Sequence, residues 1–349
     1  MKVSKRLMVV FLLVVLVANV VTGCTAPSPA PTTAAPAATT AGPAATTAAA
    51  PAVNFPTKPI RVIIPYAAGG NSDLNARKLA EIVDKYKLLS QPLVVTNIQG
   101  GGTMEALNAV NDADADGHTV MLHHSAILAQ ANMGQITFKF SDFEPVAQVL
   151  EQASVIVANS KNAWNTSDEL IAAAKANPGQ ITWTYSGLGA TAHLASEIYW
   201  MNTDSRDYFR QVIYQGGADA LAAQLGGHID MRGSTTVDAI RYILSGELKG
   251  IAVSGTERLA DLPDVPTFAE LGFEQNFMTR QGIFATKGTP EEVVNILAEA
   301  FLKACETPEY KEYLVQSGTF EASRGPKEFY EVLAADDALI AEIVAGLDN

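Results

Sequence analysis

The sequence predicts an α/β protein with open sheets, and three observations lead there. Short runs rich in Val and Ile recur along the chain, amphipathic helical patterns fall between most of them, and glycine-rich segments join strand to helix. The strand candidates are Ile60 to Pro65, Pro92 to Val95, Thr119 to Leu122, Val155 to Ala158, Ile181 to Tyr185, Gln211 to Tyr214, Ile229 to Met231, Gly250 to Val253 and Gly282 to Ala285. Their length and composition suit buried strands. The helical patterns run from Leu74 to Lys87, Met104 to Val110, Ser167 to Lys175, Thr191 to Trp200, Ala218 to Leu225 and Val237 to Leu244. After Ala285 the alternation stops. Pro290 to Cys305, Pro308 to Ser317 and Pro326 to Leu347 read as consecutive helices with no further strand, each opened by a Pro suited to a first helical turn.

Two segments precede this body. Residues 1 to 23 carry Lys2, Lys5 and Arg6, an apolar run from Leu7 to Val21, and Thr22-Gly23 ahead of Cys24, the pattern of an export signal. Val21-Thr22-Gly23-Cys24 has the small-residue-then-Cys form of bacterial lipoprotein signals, so Cys24 is expected to carry lipid and anchor the protein to the outer face of the cell membrane. Residues 24 to 53 are almost wholly Ala, Thr and Pro and have nothing to bury, so a disordered tether is expected, with an end-to-end distance of about 30 Å. Cys305 is then the one thiol left, which excludes an intramolecular disulfide and suits helix packing.

The chain has a net charge of −13, and loss of the three cations of the leader leaves −16. Such a surface repels phosphate backbones, which argues against nucleic acid as a partner, and any anion site must be local. Local sites are on offer. Tyr66-Ala67-Ala68-Gly69-Gly70-Asn71-Ser72, Tyr185 to His193, and Tyr214-Gln215-Gly216-Gly217 each run from a strand into a helix, and Gly100-Gly101-Gly102 precedes another. Helix starts present N–H groups and the positive dipole end to an anion, and glycine lets a ligand approach the backbone. A tight packing turn uses the same residues.

The same residues bear on other chemistries. Gly187 to Ala192 fits G-x-G-x-x-A, but no Asp or Glu closes the next strand to hold a ribose. His193 and Glu197 at i and i+4, with His123, His124, His118 or His228, could suggest a metal, yet no clear third ligand is present, so neither metal nor cofactor is expected. There is no G-x-S-x-G, H-E-x-x-H or Cys pair, so an enzyme is not expected. Trp164, Trp183 and Trp200 read as core or domain-surface aromatics.

An ordered set of motifs carries a family resemblance. Pro56-Thr57-Lys58-Pro59-Ile60, Pro65-Tyr66 with Gly69-Gly70 and Asp73, Asp116-Gly117, Ser186-Gly187 with Gly189 and His193-Leu194-Ala195, Tyr214 to Gly217, Leu225 to Asp230 and Leu262-Pro263-Asp264-Val265-Pro266-Thr267-Phe268-Ala269-Glu270-Leu271-Gly272 follow one another. Together they resemble the substrate-binding receptors of tripartite tricarboxylate transporters, the Bug family, from Phe55 to the last helix. The resemblance implies a two-domain periplasmic-binding-protein clamshell of the Venus-flytrap type II kind, with domain 1 over 54–150 and 276–349, domain 2 over 151–275, and two strand crossovers as hinge. It implies capture of a small organic acid and delivery to integral membrane permease subunits; Arg232 and Arg280, able to pair with a second carboxylate, favour a di- or tricarboxylate. A sensor signalling to a membrane kinase would share these residues; a secreted hydrolase is the remote alternative.

Carried over residue by residue, the resemblance implies a carboxylate clamp. Tyr66, Ala67, Gly69, Gly70, Asn71 and Ser72 form one jaw, and Ser186, Gly187, Gly189, Ala190, Thr191 and His193 the other, with Ser125, Tyr214 and Gly216 beside them. The chain departs from the family at Ala68, at Thr96 to Gly100, and at Arg232 and Arg280. Each arginine is expected either to meet a second carboxylate of the ligand or to form a salt bridge within the fold.

Overall fold

The computed structural model describes residues 53–185, 189–214 and 217–347. The leader, Cys24 and nearly all of the Ala/Thr/Pro segment lie outside the described residues. In chain order the elements are β1 (Ile60–Ile64), α1 (Asn71–Lys85), β2 (Leu93–Asn97), α2 (Met104–Asn111), β3 (Thr119–His124), α3 (Ala126–Asn132) and β4 (Phe143–Gln152). Then come β5 (Ser154–Asn159), α4 (Ser167–Ala176), β6 (Thr182–Thr184), α5 (Thr191–Thr203), β7 (Arg210–Gln211), α6 (Gly217–Leu225), β8 (Met231–Thr235), α7 (Thr236–Leu244) and β9 (Leu248–Val253). The chain closes with β10 (Thr279–Thr286), α8 (Glu291–Cys305), α9 (Pro308–Ser317), β11 (Phe320–Arg324) and α10 (Pro326–Leu347).

Among the described residues the strands form two sheets, ordered β11-β4-β10-β3-β1-β2 and β7-β6-β8-β5-β9. In the first, β1 runs parallel to β2 and β3; in the second, β6 runs parallel to β7 and β8. The connection after β1 leads through α1 to β2 on one side, while β3 lies on the other. The connection after β6 leads through α5 to β7, while β8 lies opposite. Each sheet therefore has a switch point where a crevice opens beyond the strand ends, the place where α/β sheets bind ligands.

Two passages join the sheets. The first is Ala153 alone between β4 and β5, and the second is the long stretch 254–278 between β9 and β10. They lie side by side: the N–H of Ser154 donates to Ser254 Oγ (2.9 Å), and the N–H of Ser254 donates to the Ser154 carbonyl (2.8 Å). Within the second passage, Leu262, Val265 and Phe268 are buried against the second sheet, and Glu270 accepts from the Thr267 N–H while pairing with Arg258.

Burial holds the second turn in place. Residues Thr191 to Trp200 of α5 are all buried, as befits a helix covered on several sides, here by β5, β8 and α10. Trp200 packs edge-on against Trp183 (5.3 Å) and tilts against Phe209 (4.4 Å), and truncating such a side chain costs about 3–5 kcal/mol. Cys305 is fully buried, its thiol pushed up to about 12 by desolvation, and it packs under Val149.

Several expectations need correction. A strand does follow Ala285 besides β10: β11 pairs antiparallel with β4 as a polar edge strand, with Glu321 and Arg324 giving it the charged character that hides edge strands from a hydrophobicity reading. β4 and α3 are elements that the periodicity misses. β4 carries Glu144, Pro145, Gln148 and Glu151 among its apolar positions, and α3 is almost uniformly apolar and lacks a polar face. The strand placed at Ile229 to Met231 is Met231–Thr235, and the one placed at Gln211 to Tyr214 is the two-residue β7, Arg210–Gln211. Pro290 is the cap of α8, not its first helical residue, with φ −54° and ψ 139°.

Candidate ligand-binding site

The turns after β1 and β6 are built alike. Gly69 and Gly189 have φ of +79° and +76°, left-handed values that side chains adopt only with strain. Four residues on, a side chain takes the glycine N–H: Asp73 Oδ2 accepts from Gly69 (2.8 Å), and His193 Nδ1 accepts from Gly189 (3.2 Å). Gly70 and Ala190 cap the helices in the same extended conformation, φ −74° and −64° with ψ 165° and 153°. The first helical bonds then run from Leu74 to the Gly70 carbonyl (2.9 Å) and from Leu194 to the Ala190 carbonyl (3.1 Å). The N–H groups of Asn71, Ser72 and Asp73, and of Thr191, Ala192 and His193, come before that first bond.

Each turn is anchored from below. Arg77 pairs with the Asp73 carboxylate (2.9 Å), and Asn97 donates both to Asp73 Oδ1 and to the Tyr66 carbonyl (3.0 Å each). The hydrogen bond from Arg77, helped by the Gly69 N–H and Asn97, holds the Asp73 carboxyl down at about 2 against the opposing effect of burial. In the second turn the His193 ring uses Nδ1 as acceptor, so its proton sits on Nε2, 3.3 Å from Glu197 Oε1. Glu197 in turn faces Arg206 (3.3 Å), and Tyr185 lies 4.1 Å from the His193 ring. Thus His193 and Glu197 support a turn.

Residues of the two sheets meet at a cavity of about 330 Å³. Tyr66, His124, Ala126, Gln130 and Gln135 line one side, and Gly189, Ala190 and Thr191 the other. The Tyr66 and His124 rings stack flat across the β1/β3 switch point, 4.7 Å apart with planes at 6°. Burial pushes His124 down to about 3, with His123 adding to the effect, so the imidazole is neutral. His124 Nδ1 accepts from the Ala126 N–H (3.2 Å), leaving the ring proton on Nε2. The Tyr66 hydroxyl is buried and has no hydrogen-bond partner among the described residues, and burial raises its pKa far above the ordinary value. Gln130 is held by Gly102 and Thr103, whereas Gln135 lies beside Gly189.

The structure thus brings Tyr66, Gly189, Ala190 and Thr191 together. Gly69 and Asn71 line an adjoining cavity of about 470 Å³ with Leu74, Val237 and Ile240, so the first turn is flanked by second-sheet residues on both sides. Ala67, Gly70, Ser72, Ser125, His193 and Tyr214 line neither cavity. Ser125 trades hydrogen bonds with the backbone of Arg280, its N–H to the carbonyl and its Oγ accepting from the N–H. Ser186, Gly187 and Gly216 lie outside the described residues. His124, Gln130 and Gln135 were not expected here. The adjacency of the β3 end to the first turn, implied by parallel pairing, is the signal that could have found His124.

The arginines lie apart from the 330 Å³ cavity. Arg280 pairs with Asp336 on α10 (2.6 Å) and with Glu151 on β4, which also holds Arg324. Burial raises the Asp336 pKa, and Arg280 opposes that rise. Arg232 is 1% exposed in β8 and donates through Nε to Gln224 (3.2 Å).

Two α/β sheets, each presenting a glycine turn and helix start to a shared cavity, make up a two-lobed solute-binding clamshell. Comparison with known proteins agrees. Residues 75–341 match the family described as the tripartite tricarboxylate transporter family receptor. The protein BugT of Bordetella pertussis is 31% identical over 277 residues, covering 77% of this chain and 84% of the relative. A TctC solute-binding protein from Polaromonas superposes with a TM-score of 0.74 at 30% identity, over 84% of this chain and 99% of that one. MatC from Rhodopseudomonas palustris, solved with bound malate, has a TM-score of 0.67 at 25% identity, over 83% and 100%. The chain belongs to the tripartite tricarboxylate transporter receptor family of solute-binding proteins.

Proposed function

We propose that this receptor, held outside the cytoplasm by lipid on Cys24, captures a small organic acid by its carboxylate and passes it unchanged to membrane permease subunits. The duplicated turn carries the reading. Two helix starts of matching geometry, one from each sheet, offer N–H groups to one anion, and charge-assisted hydrogen bonds of this kind contribute about 1.5–3 kcal/mol each. Contacts to both jaws exist together only when the cleft is shut, so the ligand shifts the population toward closure. The moving bodies would be residues 54–150 with 276–349 against 151–275, pivoting where Ser154 and Ser254 tie the two passages together.

The malate held by MatC makes a dicarboxylate the first candidate. Its second carboxylate would be met by neutral groups such as Gln135, since Arg280 is engaged by Asp336 and Glu151. A thermal-shift screen of mono-, di- and tricarboxylates tests the reading, because a ligand selective for the folded state raises the midpoint by mass action. A saturable rise with an organic acid, matched by calorimetry, is the expected result; turnover of the acid, or no response to any carboxylate, would overturn it. Cys24→Ser is expected to move the protein from membrane to soluble fraction with affinity unchanged, and unchanged membrane association would remove the anchor.

A further inference from the structure

Arg232 is a buried cation for which no carboxylate among the described residues serves as partner. Its Nε is pinned to Gln224 Oε1, while Nη2 is buried with no hydrogen-bond partner among the described residues. Gln224 cannot move to help, since its own Nε2 donates to the Val157 carbonyl (3.0 Å) and its carbonyl accepts from Asn159. Thr184 stands beside Arg232 in the β6/β8 register, and Ser234 lies two residues further along β8, so the three side chains share one face of the sheet. Thr184 Oγ1 and Ser234 Oγ are likewise buried with no partner among the described residues, both residues being 0% exposed. Val157 and Val155 flank Arg232 and Ser234 from β5, within an apolar cluster that includes Leu221, Ala239 and Tyr242. The nearest acid acting on the guanidinium is Asp238, exposed on α7 and outside ion-pair distance.

Three orphaned donors on one face call for an acceptor, and a buried guanidinium calls for negative charge; water would answer the first need and leave the second. We propose that Arg232, Thr184 and Ser234 bind a small monovalent anion of chloride's size, drawn from solution. One cation fixes the charge at one. Arg232 lines neither of the cavities that the two turns face, so a solute carboxylate held at the turns does not reach it. Thr184 ends β6 just before the second turn, and Ser234 lies next to the end of β8, so the anion staples the two strands that flank the second switch point.

The test is thermal unfolding of the whole protein at constant ionic strength, with chloride replacing gluconate. The midpoint is expected to rise saturably with chloride, by about 2–4 °C, and Arg232→Met is expected to abolish the rise. Crystals of the unaltered protein soaked in bromide are expected to show an anomalous peak beside Arg232 Nη2, which decides the matter even if the variant fails to fold. An equal chloride response in both proteins, or no bromide at this place, overturns the proposal. A midpoint that responds through Arg232 to malate and not to chloride also overturns it, and assigns the arginine to the solute.

Discussion

Gly189 is the position where one methyl group should separate binding from folding. Its φ of +76° costs a residue with a Cβ about 1–2 kcal/mol, and that Cβ would lie 2.9 Å from Met133 Sδ, at the cavity where Gly189 faces Gln135. Met133 is flexible at that end and yields at little cost. Gly179 supplies the control: it has φ +75°, nothing within 4 Å of its Cβ position, and a place before β6 where Gly189 follows it. Both Gly189→Ala and Gly179→Ala are therefore expected to lose about 1–2 kcal/mol of stability by urea unfolding. Only Gly189→Ala is expected to lose binding, by about tenfold or more (about 1.4 kcal/mol) in calorimetry with the acid found by screening. Normal affinity in Gly189→Ala, or equal loss of affinity in both variants, would refute a carboxylate held against the second turn.

His123 is buried and pushed down to about 4, below the ordinary value, mainly by desolvation. Its contribution to stability is whole above about pH 6.5 and lost as pH falls toward 4, about 2 kcal/mol by pH 5, and His123→Gln should flatten this dependence in urea midpoints measured across that range. Arg280→Met leaves Asp336 buried without its partner, so a stability loss of about 3–5 kcal/mol with unchanged ligand affinity is expected; the reverse pattern would put Arg280 on the ligand. Tyr66→Phe removes a buried hydroxyl that has no partner among the described residues, so thermal stability should hold while affinity falls about five- to tenfold, the worth of one hydrogen bond. Affinity equal to that of the unaltered protein would take the Tyr66 hydroxyl out of the site.

The two turns were legible because their causes are local. A glycine at the strand end, an extended cap and a side chain four residues on, Asp73 or His193, lie within one short stretch of sequence. The opposite wall was not legible, because His124, Gln130 and Gln135 arrive through β3 and the segment after it, and α3 has no polar face to reveal its period. Arg280 shows the same limit: its partners, Glu151 and Asp336, lie 129 and 56 residues away, and only the packing of β4 and α10 around β10 brings them to it. β11 escaped for a different reason, since an edge strand needs half its residues polar and then looks like a loop.

A crystal structure with the captured acid tests the central claim most directly. The account expects one carboxylate of the ligand between the turns, within hydrogen-bond distance of N–H groups at the starts of both α1 and α5, and beside the stacked Tyr66 and His124 rings. A carboxylate bound instead in the cavity of about 530 Å³ beside Arg280 and Arg324, with both turns unoccupied, would contradict it.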